Sequence, residues 1–154
     1  MPYPPRRRLG HHALILNRDG AVLLLEAAGT DGYVLPGGSA ERNELPHLAA
    51  RRHTETATGL VLSLHQLLAA DHTTGQPPTT ASDSVYWGGR LTPVQESVVA
   101  RHRPPHHVRA AHWIHHDRLS DVMAAGHHPR AAQALAALAD GIHLPFLLRG
   151  IPAG

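Results

Sequence analysis

The chain has 154 residues, 42% of them hydrophobic and 17% charged, a balance that suits one compact domain and excludes an intrinsically disordered chain. A formal charge of +2 with neutral histidines and an aromatic content of 4% argue against a nucleic-acid-binding surface. The absence of cysteine excludes a disulfide framework, a thiolate metal site and a cysteine nucleophile.

No apolar run approaches the length of a membrane span, and no secretory hydrophobic region follows the basic start MPYPPRRRLG. The expectation is a cytoplasmic protein that engages neither membrane nor nucleic acid. All fourteen basic residues are arginine, the mark of a GC-rich coding sequence. The fifteen histidines form a large reserve of groups that titrate at roughly pH 6.5.

In chain order, residues 1–9 read as a flexible N-terminal arm. HHALILNRDGAVLLLEA places two apolar runs around Asn17-Arg18-Asp19-Gly20, the pattern of a hairpin. YVLPGG is a short strand ending in Pro36, Gly37 and Gly38. From Leu45 to Thr58 the pattern is helical, with Pro46 in the first turn and Gly59 at the stop. LVLSLHQLLAADH is strand-like, and TTGQPPTTASD, residues 73–83, reads as a flexible, turn-rich loop.

SVYWGGRL and VRAAHWIHH follow as strands, the second with Val108, Ala110, His112 and Ile114 on one face. PRAAQALAALADG is a helix carrying Ala131, Leu135 and Leu138 on one stripe and Gly141 as its stop. The order β-β-β-α-β-β-β-α predicts a mixed sheet with helices packed on it, in one domain spanning 1–154.

The stretch PGGSAERNELPHLAARRHTETATGL carries the chemistry. Five residues separate Gly38 from Glu44 and seven separate Glu44 from Arg52, with Gly59 and Leu60 closing the pattern. With YVLPGG before it and AAHWIHHDRL after it, the sequence resembles the Nudix hydrolase superfamily over nearly the whole chain. The resemblance implies an α/β/α sandwich with a mixed central sheet and two main helices. It also implies a small phosphorylated substrate of the nucleoside-diphosphate type, and a homodimer, since this fold often dimerises.

By the same resemblance Glu44 approaches a metal site, the Gly37 carbonyl is a metal ligand, and Arg52 orders the loop beside the catalytic acid. Tyr33 and Glu41 fall where ligand-cleft residues lie. His106 and His107 stand where the family often places a glutamate, His106 toward substrate and His107 as a catalytic group. The three carboxylates of the family's box, however, fall on His53, Thr56 and Ala57. Those positions share one helix face.

Mg²⁺ is a hard cation that needs oxygen ligands, and neither Thr56 nor Ala57 supplies the charge. The nitrogen of His53 suits zinc, copper or nickel better. Glu55 lies about 100° around the helix from position 56 and faces away. The cofactor expectation therefore divides between Mg²⁺ or Mn²⁺ and none.

The glycines and Arg52 serve equally as a loop–helix scaffold. The pairs His115-His116 and His127-His128 read as solvated, Trp87 and Trp113 as core, and Asp83 and Glu96 as solvated acids. Three functions stay open. One is a Nudix-type hydrolase with impaired Mg²⁺ chemistry. Another is a metal-independent acid–base enzyme of small-molecule biosynthesis that uses His53 and His107, and the third is a non-catalytic binding module.

Overall fold

The computed structural model describes residues 7–74, 80–142, 144, 147–149 and 151–152. Strand β1 (Arg7–Leu16) is the spine of a seven-stranded mixed sheet. Along one edge it pairs in parallel with β6 (Thr80–Arg90); along the other it pairs antiparallel with β4 (Gly37–Ser39) and, at Leu16, with β2 (Val22–Ala27). β2 in turn pairs antiparallel with β3 (Tyr33–Val34) and β7 (Val108–Ile114), and β5 (Leu67–Thr74) flanks β6. A separate hairpin joins β8 (Leu147–Leu148) to β9 (Ile151–Pro152).

Successive side chains of a strand point to opposite faces, so β1 feeds two cores. Leu14 and Leu16, with Val22, Leu24 and Val85, are covered by α3 (Leu119–Val122) and α4 (His128–Ala139) through Leu119, Met123, Ala131 and Ala134. Ala13 and Ile15, with Leu23 and Tyr86, are covered by α1 (Pro46–Thr58) and α2 (Pro93–Arg101) through Ala50 and Val99. Each fully buried leucine contributes roughly 1.5–3 kcal/mol. The α/β/α layering expected from the sequence is what these two cores build, with α1 and α4 as the main helices.

Several expectations are corrected. Arg7, Arg8 and Leu9 are not part of a loose arm, because the β1–β6 ladder extends through their pairing with Thr80, Ala81 and Ser82. Residues 1–6 lie outside the described residues. The loop expected over 73–83 is largely strand, since Thr73 pairs with Ala81 and Thr74 with Thr80; residues 75–79 lie outside the described residues.

Residues 60–66 form no strand although Leu60, Leu62 and Leu64 alternate inward and are buried. Extended chain here buries its leucines without a ladder, and β5 begins only at Leu67. The nine-residue α2 was not expected from the sequence. Thr92 Oγ1 accepts from the Gln95 backbone while the Gln95 side chain accepts from the Thr92 backbone, a reciprocal cap with Pro93 at the first helical position.

Helix α1 stops at Gly59, whose φ of 80° is left-handed and whose N–H bonds to the Glu55 carbonyl. A Cβ there would stand 3.0 Å from His102 Nδ1. Gly59→Ala is expected to lower the unfolding free energy by about 1–2 kcal/mol, read as a lower urea midpoint at unchanged slope. An unshifted midpoint would show that this turn carries no conformational demand.

Candidate functional site

The loop from Ser39 to Leu45 is bound to α1 by charge. Arg52 donates from Nε to Glu44 Oε2 at 2.8 Å and from Nη2 to Glu44 Oε1 at 2.9 Å, a two-pronged pairing that fixes both side chains. The Glu41 backbone N–H adds a bond to Glu44 Oε1 at 2.9 Å. The Arg52 bonds, helped by that backbone bond, hold the Glu44 carboxyl down to about 2 from an ordinary 4.5. Glu41 itself stands 3.8 Å from Arg52 and is exposed, so its pairing contributes little.

His53 closes the same clasp. Its Nε2 lies 2.8 Å from the Ser39 carbonyl and 3.4 Å from Arg52 Nη2. A carbonyl only accepts and a guanidinium only donates, so Nε2 cannot serve both. The shorter contact decides: Nε2 carries the proton and donates to Ser39, and the Arg52 contact is not a hydrogen bond. The ring lies against Gly38, where a Cβ would come within 2.6 Å of Nε2. Gly38 is thus required by the imidazole that packs over it.

The other two positions of the box face have different surroundings. Ala57 is buried in a small apolar cluster with Leu25 and Val108, against which Val34 packs. Thr56 is exposed, and its carbonyl accepts from His102 Nε2 at 2.8 Å. Glu55 is exposed, as its place around the helix requires. Among the described residues no three His, Asp or Glu side chains converge as metal ligands. The donors present do not fit Mg²⁺ or Mn²⁺: the one box carboxylate, Glu44, is already paired with Arg52, and position 57 is apolar.

None of the remaining candidates has a described hydrogen bond to His53. His106 and His107 are exposed and meet edge to face at 5.9 Å; the His107 carbonyl accepts from the Ala28 backbone. Neither has a described hydrogen bond to His53. Tyr33 packs with the α4-side core and stacks on His112 at 4.5 Å, with His112 Nε2 3.2 Å from Glu26 Oε2. It therefore belongs to the opposite sheet face from α1. Gly37 pairs with His12 in the β1–β4 ladder.

Two expectations for solvated residues are also corrected. Asp83 is 3% exposed because the β1–β6 register carries it inward opposite Gly10. His127 is half-buried; burial, with Arg130 next in effect, pushes its imidazole below the ordinary value. Glu96 sits in the first turn of α2 and accepts from the Arg18 backbone at 3.2 Å. Trp87 and Trp113 pack against the two cores.

Sequence reasoning missed His11 and His12. His11 faces α1, with Nδ1 2.7 Å from Ser84 Oγ, and burial, reinforced by His12, lowers its imidazole. Strand alternation over HHALIL predicts that one of the pair looks to each face, a signal that was available.

A sheet sandwiched between two helical layers, with a glycine-led loop tied by Glu44 and Arg52 to the following helix, defines the class of protein. The NUDIX domain family model matches residues 6–138, and the chain belongs to that family. It is similar to the MutT protein from Methanosarcina mazei Go1, at 16% identity over 91% of this chain and 99% of that one, with a TM-score of 0.70. A NUDIX hydrolase from Nitrosomonas europaea aligns at 19% identity over 92% and 94% of the two chains, TM-score 0.69. The NUDIX domain of Shewanella oneidensis NrtR, solved with ADP ribose, aligns at 16% identity over 86% and 89%, TM-score 0.67. No curated protein matches the chain.

The Glu44 clasp makes an acid-pH prediction. Folding lowers the Glu44 carboxyl from 4.5 to about 2, so the unfolded chain binds the extra proton between those values. The stabilisation is complete above pH 4.5 and is lost as pH falls through 2. Glu44→Gln should be less stable than wild type at neutral pH, with the difference shrinking across that window in urea titrations at stepped pH. A constant difference would show that the pairing does not set the Glu44 ionisation.

Proposed function

We propose that this chain binds a nucleoside-diphosphate-type or other small phosphorylated molecule beside Gly37, Gly38 and Arg52, and that Mg²⁺-dependent hydrolysis there is slow or absent. The observation that carries the second part is the burial of Ala57 against Leu25 and Val108 on the helix face that would have to carry charge. The ligand class is supported by family membership and by the ADP ribose in the Shewanella NrtR domain. Arg52, 38% exposed, keeps its Nη1 only loosely engaged and has donors left for phosphate oxygens.

The acid–base reading draws support from His53 only in part. Its Nε2 is engaged with the Ser39 carbonyl, and no second histidine among the described residues has a hydrogen bond to the ring. Loss of EDTA-resistant activity in His53→Ala would favour that role, and unaltered activity would remove it.

The test is a panel of ADP ribose and nucleoside diphosphates, with Mg²⁺ or Mn²⁺, followed by thermal shift and product release. Stabilisation by a panel member is expected, with metal-dependent turnover far below the ~1–10³ s⁻¹ usual for enzymes. Turnover within that range overturns the slow-box assignment, and no stabilisation by any member overturns the ligand class.

A further inference from the structure

A cavity of about 420 Å³ lies between α4 and the turn into α3, on the sheet face opposite α1. That volume falls in the range of about 300–1,000 Å³ that small-molecule sites occupy. Leu119, at the start of α3, and Leu135, on α4, form its walls and join it to the α4-side core. Ala132, Ala136 and Ala139 line it at i, i+4 and i+7 of one helix face. There α4 leaves open the space that longer side chains would fill.

The cavity has two unlike ends. Arg130 bonds to Asp83, which pairs with Gly10, so α4 begins at the Gly10 end of β1. Gly20, in the turn beyond Leu16, lines the cavity from the other end of that strand. His116 lies there too, since Gly20 and His116 each stand two residues outside the Val22–Ile114 pair. From His128 to Ala139 the lining follows α4 for about 16 Å.

His128 marks the end that attracts an anion. It stands in the first turn of α4, and among the described residues its ring has no hydrogen-bond partner. An imidazole carries an N–H in either tautomer. That first turn holds no acid and no side-chain cap, so the helix dipole adds to the attraction. At the far end the His116 ring packs on His115, which is held by the Asp117 carboxylate at 2.7 Å. A second anion is disfavoured beside that carboxylate and beside the negative end of the α4 dipole.

The lining also limits the head group. Among the described lining residues there is no carboxylate to pair with an ammonium, and no arginine to meet a doubly charged phosphate as a guanidinium would. A carboxylate carries a single charge and suits one imidazole N–H at a helix start.

We propose that this cavity binds an elongated apolar monocarboxylate, with its head on His128 and its body along Ala132, Leu135 and Ala136 toward Gly20. The site is separate from the phosphorylated ligand proposed above, because the sheet stands between them.

The experiment titrates decanoate, kept below its micelle concentration, into the full chain, with decan-1-ol and decylamine as the other head groups. Saturable amide ¹H–¹⁵N shifts are expected at Gly20, His128, Ala132 and Ala136. Decylamine should bind at least about 10-fold more weakly than decanoate. His128→Ala should weaken decanoate by about 10-fold and leave decan-1-ol unchanged. Ala136→Trp, at an exposed helix position, should fill the cavity and abolish binding of both. Decylamine that binds as tightly as decanoate overturns the carboxylate class, and an unchanged affinity in His128→Ala overturns the placement of the head. Shifts that do not saturate, or that map to the α1 face, overturn the site from the wild-type spectra alone, whether or not a variant folds.

Discussion

The parallel pairing of β1 with β6 is the constraint on which the rest of the molecule depends. Ten residues of β1 pair with β6, with one bulge between Leu14 and Ile15, and that pairing decides which side chains of each strand look to α1 and which to α4. It sets Ala13 and Ile15 in one core and Leu14 and Leu16 in the other. It also sets His11 beside Ser84 on one face and His12 beside Asp83 on the other. A slip of one residue would exchange both cores and both histidines together, so packing energy protects the polar geometry.

In the loop–helix clasp the charged side chains of the box bind one another and the loop. Glu44 and Arg52 are paired through two hydrogen bonds, and His53 donates to Ser39 across the same gap. Where the box resemblance places acids at 56 and 57, one position is solvent-exposed and the other is apolar packing. Electrostatics that would serve a cation instead serve the loop. A second polar group lies on the other face of the sheet, where the buried Asp83 carboxylate accepts from His12 and Arg130.

Much of the fold was legible because local chemistry and global architecture agree. Pro46 and Gly59 bracket α1 as their backbone preferences require, and the spacing of Gly38, Glu44 and Arg52 locates the clasp. Thr92, Pro93 and Gln95 spelled out a helix cap whose signal was present and unread. The His12–Asp83 pair was a different matter. Its partners are 71 residues apart and meet only through a parallel register that no local pattern encodes. Asp83 sits in a polar, turn-like stretch, so composition pointed to solvent while the ladder carried it inside. Tyr33 fell on the α4 side for the same reason: a two-residue strand gives too little alternation to fix its face.

Helix α1 is fastened at its middle and at its last turn. Half-way along it Arg52 and His53 hold it to Glu44 and to the Ser39 carbonyl, and at its last turn His102, from the end of α2, holds the Thr56 carbonyl. In mechanical terms it is a beam clamped at two supports, one belonging to the sheet and the other to a neighbouring helix. Both supports lie in the C-terminal half of the beam, about one helical turn apart, so that half is held against tilting. The stiffness of the ligand side of the molecule is therefore set partly by α2, an element that touches neither polar centre.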